Sequence, residues 1–240
     1  MRDQGEDDDL LQQQIAYYRA RAAEYHEWHE RRGRYDMGTE HTERWIGEVD
    51  RVAEALEQLE PFGRVVELAA GTGWWSERLA RRAAGLLVVD AAPETLALNR
   101  LRCEPIASAR GISYRQQLAD LFDWRPDQTF DLVFFSFWLS HVPATRENAF
   151  WELVNALLAP RGRFFFIDSA RSPESIPADH RLPEGPSDLA LRRLNDGTAY
   201  RVIKRFFDPL ALEAELGERG FHARVRSSGE LFIYGEGSPR

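Results

Sequence analysis

The stretch VVELAAGTGWW, residues 65–75, decides the fold. Val65, Val66 and Leu68 make a short apolar run broken by one acid, Glu67. Ala69, Ala70, Gly71, Thr72 and Gly73 follow as a turn of small residues, and Trp74 and Trp75 begin the next element. A strand passing straight into a helix through glycines is the opening of a βα unit. Glycine there permits positive φ and lets a ligand approach the backbone, while the new helix offers unpaired N–H groups. A tight strand-to-helix turn needs the same small residues without any ligand, so the stretch alone fixes the local fold and only raises the question of binding.

Working downstream, short apolar runs alternate with helical stretches: VVEL, WSERLARRA, LLVVD, PETLALNRLR, ISYRQQ, DLVFFSF, RENAFWELVNALL and GRFFFID. Strands alternating with amphipathic helices at this pitch predict parallel pairing with crossover helices on both faces, an open doubly wound α/β sheet. Residues 171–197 break the rhythm with Pro, Asp and Ser and are expected to form a long loop or an inserted cap. Beyond them come AYRVIKRFF, a helix DPLALEAELGERG, and the segments FHARVRSS and ELFIYG, which predict an antiparallel C-terminal hairpin.

Upstream, residues 1–9 read as a solvated, disordered tip. From Leu10 an amphipathic stripe runs through Leu11, Ile15, Tyr18, Ala22 and Tyr25. A second helix is expected from about Glu40, with Trp45, Val49, Val52, Leu56 and Leu59 on one side and a stop at Pro61 and Gly63; RRGRYDMG between them is a loop. The formal net charge of -8 argues against a phosphate-backbone footprint, so nucleic acid is not expected as a partner. Cys103 is the only cysteine, which excludes a disulfide framework and a cysteine-based zinc site; no metal is expected. No window resembles a membrane span, and MRDQGEDDD is acidic where a signal peptide would be basic, so a soluble, cytoplasmic protein with no membrane contact is expected, as monomer or homodimer.

The run LLVVD ends in Asp90, 17 residues after Gly73, at the tip of the second parallel strand. An acid there can accept the hydroxyls of an adenosine ribose, or can cap the helix PETLALNR. A dinucleotide would need a third small residue near Ser76 and would place a pyrophosphate near Glu67, where the carboxylate repels it. A cationic or zwitterionic adenosyl ligand fits the acid better.

In order and separation, VVELAAGTG, LLVVDAAPETL, the ADLFDW step, FDLVFFSFWLSHVP and LLAPRGRFFFID resemble the successive motifs of class I S-adenosylmethionine-dependent methyltransferases of the small-molecule type, over residues 61–170. The resemblance implies a seven-stranded Rossmann-like sheet ending in the antiparallel hairpin, with residues 61–240 as the methyltransferase domain and the helices of residues 1–60 as a lid. It implies S-adenosylmethionine as cofactor. Glu67 and the backbone of Ala69, Gly71, Thr72 and Gly73 would line its methionine part, Asp90 with Ala91 its ribose, and Asp120, Leu121 and Phe122 its adenine. Ser136, Phe137 and His141 would border cofactor and substrate. Tyr18 and Tyr25 would stand near the cofactor carboxylate or simply pack the helix, and Trp75 divides between site and core in the same way. The family often has glycine at the position of Ala69.

Methyl transfer from a sulfonium is an in-line displacement, in which the protein supplies proximity and alignment. His141 is the candidate base for a hydroxyl or ammonium acceptor, with strand capping as its alternative. Trp138 would wall the substrate site. Arg193 and Arg201, from the cluster Arg192, Arg193, Arg201, Lys204 and Arg205, would recognise an acidic group on the acceptor or form a solvated face. The expected activity is methyl transfer to an O-, N- or C-nucleophile of a small, specialised metabolite. A nicotinamide-dependent oxidoreductase and a non-catalytic adenosyl-binding scaffold are the alternatives.

Overall fold

Runs such as Val65, Val66 and Leu68 can hide both faces only in a sheet covered on both sides, and all three are fully buried. The structure is a computed structural model describing residues 4–175 and 188–240. In chain order its elements are α1 (Gln4–Arg21), α2 (Tyr25–Glu30), α3 (Thr39–Glu57), β1 (Arg64–Leu68), α4 (Trp74–Ala80), β2 (Gly85–Asp90), α5 (Pro93–Arg110), β3 (Ser113–Leu118), β4 (Phe130–Ser136), α6 (Glu147–Leu157), β5 (Leu158–Ser169), β6 (Leu189–Arg193), β7 (Ala199–Ile203), α7 (Pro209–Glu218), β8 (Phe221–Ser227) and β9 (Phe232–Pro239).

The main sheet has the order β3-β2-β1-β4-β5-β9-β8. β1 pairs in parallel with β2 and β4, β2 with β3, and β4 with β5, while β9 runs antiparallel to both β5 and β8. This is the expected doubly wound sheet with its C-terminal hairpin. The period of two along each strand divides the core. Val65, Leu132 and Phe134 face α3 and α4, meeting Trp45, Val49, Trp75 and Leu79. Val66, Leu68, Val133 and Phe135 face α6 and α7, meeting Phe150, Val154, Leu212 and Leu216.

Two expectations change. The acidic tip is largely exposed but helical over residues 4–9: α1 already includes them, with Glu6 and Asp7 in its first turn, where the helix dipole favours acids. Asp7 is 1% exposed and accepts a hydrogen bond from Thr145, and Arg146 pairs with Asp8. The break at 171–197 is in part a strand. β6 pairs antiparallel with β7, from Leu189↔Ile203 to Arg193↔Ala199, in a separate two-stranded sheet. Residues 176–187 lie outside the described residues. The hairpin's inner residues Ala190, Leu194 and Val202 pack on Tyr17 of α1, so α1 and the hairpin cover the same end of the main sheet.

Candidate active site

Strand order reverses between β1 and β4, and in an open parallel sheet the crevice at the carboxyl ends beside such a reversal is where ligands sit. The turn after β1 is built for close approach. Ala69, Gly71 and Gly73 hold φ of 50°, 56° and 91°. A Cβ on Gly73 would lie 2.9 Å from the Asn99 Cα, so α4 can start against α5 only with glycine there. Ala69 takes the same left-handed region with a side chain attached, which strains it. Asn99 ties the turn down, its Nδ2 donating to the Gly71 carbonyl (3.3 Å) and to Ser76 Oγ (2.8 Å).

Asp90 ends β2 and holds the same turn. Its Oδ2 accepts from the Gly71 N–H (2.8 Å), and its Oδ1 accepts from the Ala92 N–H (2.8 Å) and the Thr95 hydroxyl (3.1 Å). Burial pushes its carboxyl up, and the Ala92, Gly71 and Thr95 bonds pull it back. Oδ2 keeps a lone pair for a ribose hydroxyl. Asp120 accepts from the Phe122 N–H through Oδ1 (2.9 Å), while Oδ2 has no partner among the described residues. Both acids open on one cavity, which Tyr18, Tyr25, Ala69, Gly71, Ala91, Leu121, Phe122, Ser136, Phe137 and Trp138 also line. The Trp138 indole N–H is buried without a partner among the described residues, and its ring lies 6.2 Å from Phe122. Phe137 sits at φ 53° against Trp28, ring centroids 4.5 Å apart. A left-handed aromatic residue is a real outlier, and here aromatic packing holds it at the cavity wall.

Several expected site residues stand elsewhere. Thr72 and Gly73 are buried in the turn, and Trp75, 2% exposed, packs on Phe134 in the core. Glu67 shares the parity of Val65, so it points beneath α4 and away from the cavity; it is fully buried and accepts a hydrogen bond from Ser76. Burial pushes its carboxyl up to about 8, and Oε1 has no partner. A carboxyl raised that far is mostly neutral at pH 7, so Glu67 is not the open anion its place in the sequence suggested. Arg193 and Arg201 lie exposed on the outer face of the β6–β7 hairpin, because strand alternation sends Arg192, 8% exposed, inward instead. His141 is 6% exposed and does not line the cavity, but its Nε2 lies 2.8 Å from the Tyr18 hydroxyl, which does.

Other residues were not assigned to the site from the sequence. Leu11, Gln14 and Ile15 of α1 roof the cavity and Thr95 floors it. Leu11 and Ile15 carried a signal in the amphipathic stripe; Gln14, inside QQQ, carried none. Arg21 donates to the Tyr35 hydroxyl (2.7 Å) and stacks over the Tyr25 ring at 4.5 Å, with no carboxylate partner among the described residues. Arg31 is 4% exposed, and its Nε and one Nη have no partner among the described residues.

The chain is 30% identical to DhpI along 100% of both chains, and superposes on its complex with SAM and HEP with a TM-score of 0.77. The chain belongs to the S-adenosylmethionine-dependent methyltransferases. A second DhpI structure, bound to SAH, is 31% identical over 96% of this chain and 97% of its own, with a TM-score of 0.74. The family model described as Methyltransferase domain matches residues 65–162, from β1 into β5. A ubiquinone biosynthesis O-methyltransferase of Xanthomonas axonopodis pv. citri (strain 306) is 31% identical over 164 residues, and the match spans 68% of this chain and 64% of that protein's length. The site suits the methyltransferase cofactor on its own terms. The oxygen that Asp120 leaves free among the described residues is an acceptor for an exocyclic amine, and the turn at Gly71, where an added Cβ would meet no atom within 4 Å, admits a ligand against the backbone.

Proposed function

We propose that this protein methylates a small, specialised metabolite at a nucleophilic oxygen, using S-adenosylmethionine as donor. The observation that carries it is the capture of the Gly71 N–H by Asp90, 2.8 Å away. In a dinucleotide site, amides of this turn meet a pyrophosphate; here a carboxylate already accepts one of them, which leaves the turn suited to a ligand with no phosphate. The donor, when bound, supplies an electrophilic methyl group on a sulfonium. Asp90 would hold its ribose and Asp120 its adenine between Leu121 and Phe122.

The acceptor side is the space under α1, among Tyr18, Tyr25, Phe137 and Trp138. Arg21 stands behind Tyr25 with no acid among its partners in the described residues, which favours an acceptor carrying an acidic group. That DhpI has been solved with SAM and a second ligand together supports a two-ligand site, and the name of the Xanthomonas relative supports oxygen as the methylated atom. The test is calorimetry with S-adenosylmethionine, S-adenosylhomocysteine and NADH, followed by mass analysis of small hydroxy acids incubated with donor and protein. Heat from both adenosyl ligands and none from NADH is expected; heat from NADH alone would return the oxidoreductase alternative.

A further inference from the structure

The contact between Tyr18 and His141 joins α1 to the loop after β4, across 123 residues of sequence. Its direction is fixed by what lies on the other side of the ring. His141 Nδ1 faces the carbonyl oxygen of Ile203 at the end of β7, and a carbonyl can only accept. Nδ1 therefore carries the ring proton, Nε2 presents a lone pair, and the Tyr18 hydroxyl donates to it over 2.8 Å. The segments that carry the ring are also tied together. Gln14 of α1 donates from Nε2 to the His141 carbonyl (3.3 Å) and accepts from the Ile203 N–H through Oε1 (3.2 Å). Lys204, one residue past the strand, donates to Ser140 Oγ (2.8 Å) and pairs with Asp168 at 3.3 Å.

The cavity wall at this point is the Tyr18 phenol, with the imidazole behind it. We infer that Tyr18 and His141 form a proton relay for a hydroxyl acceptor, Tyr18 being the catalytic residue that touches the acceptor and His141 the positioning base that acts through it. This inference rests on the proposed methyl transfer. As the acceptor oxygen bonds to the methyl carbon and the carbon–sulfur electron pair returns to sulfur, the acceptor proton passes to Tyr18 Oη, and the Tyr18 proton passes to His141 Nε2. The imidazolium so formed donates to Ile203 from Nδ1 and to Tyr18 from Nε2. One positive charge disappears from sulfur and one appears on His141, so the buried site keeps its net charge, which is what a low-dielectric pocket requires.

The surroundings keep the pair in its working protonation state. Burial, with Lys204, Arg192 and Arg21 nearby, holds His141 well below the usual histidine range against the opposing Ile203 carbonyl, so its lone pair is free at neutral pH. Burial, reinforced by Tyr25 and Tyr17 and opposed by Arg21 and Arg192, holds the Tyr18 phenol well above 10, so it stays a donor.

The experiment measures S-adenosylhomocysteine formation at saturating S-adenosylmethionine, with 3,4-dihydroxybenzoate as probe acceptor and, without it, by slow transfer to water. Tyr18→Phe and His141→Gln are each expected to lower kcat about 100-fold or more while S-adenosylhomocysteine affinity stays within a few-fold, and the double variant to be no slower than the worse single one. Glutamine can still accept the Tyr18 hydroxyl but cannot take its proton. The wild-type rate is expected to be flat between about pH 6 and 9, and the variants' rates to climb with pH as ionised acceptor replaces the relay. A His141→Gln enzyme with wild-type kcat and a flat profile overturns the relay and leaves His141 a structural residue. Intact donor binding with no product from either hydroxyl acceptor overturns it as well, whereas absence of donor binding overturns the proposed methyl transfer itself.

Discussion

Glu67 shows how a residue can be recognised and still be misplaced. Its position after Val65 and Val66 was legible, but the strand alternation that turns it under α4 is a property of the sheet. The consequence is measurable. Its folded carboxyl sits near 8 against an ordinary 4.5, so the native state holds a proton that the unfolded chain has lost. The stability it contributes is whole below about pH 4.5 and is lost as pH rises through 8. Glu67→Gln without ligand should match the wild type at pH 4 and exceed it at pH 9 by something on the order of a few kcal/mol, read as unfolding midpoints across pH. Ala69, at φ 50°, makes the opposite kind of case: replacing it by glycine relieves strain and should stabilise by roughly 0.5–1 kcal/mol in a denaturant titration. Asp90 and Asp120 were readable because each ends or follows a strand whose tip can only face the crevice. Arg21 and Arg31 were not, since nothing in RARAAEYHEWHERR marks which guanidinium turns inward.

Among the elements, the strands of the main sheet were legible because buried strands have no polar face to blur them, and the ends of α1 and β6 were not. An acid-rich first turn looks solvated until a partner such as Thr145 meets it, and a two-stranded sheet exposed on one side mixes arginines with apolar residues. Helix α3 shows how elements far apart in sequence are fastened. Glu48, 4% exposed, accepts from the Ser228 hydroxyl (2.6 Å) and from the N–H groups of Glu230 (2.9 Å) and Leu231 (3.0 Å), clamping the turn between β8 and β9. Glu48→Ala strands these donors in the interior and should destabilise by roughly 2–4 kcal/mol, lowering the thermal midpoint while donor affinity of the folded fraction holds. The clamp left no trace in the sequence, where only the apolar side of this helix, Trp45, Val49, Val52 and Leu56, carried a pattern.

Across the whole molecule, α1, the β6–β7 hairpin and the loop after β4 meet at Gln14, Ile203 and His141 and make one roof over a floor supplied by the sheet. Ligand beneath the roof should therefore reach the roof. Saturating S-adenosylhomocysteine is expected to slow amide exchange in residues 11–21 and 139–141 as well as in the turn after β1, and protection confined to that turn would mean that α1 takes no part in binding. The division has a meaning for descent. The segment shared with the broad family, residues 65–162, carries the floor, including Gly71, Asp90 and Asp120, whereas Arg21, Tyr18 and the hairpin lie outside it. Lineages that inherit the same floor can remodel the overlying pieces, and so change clientele, without disturbing the grip on a shared currency of methyl groups.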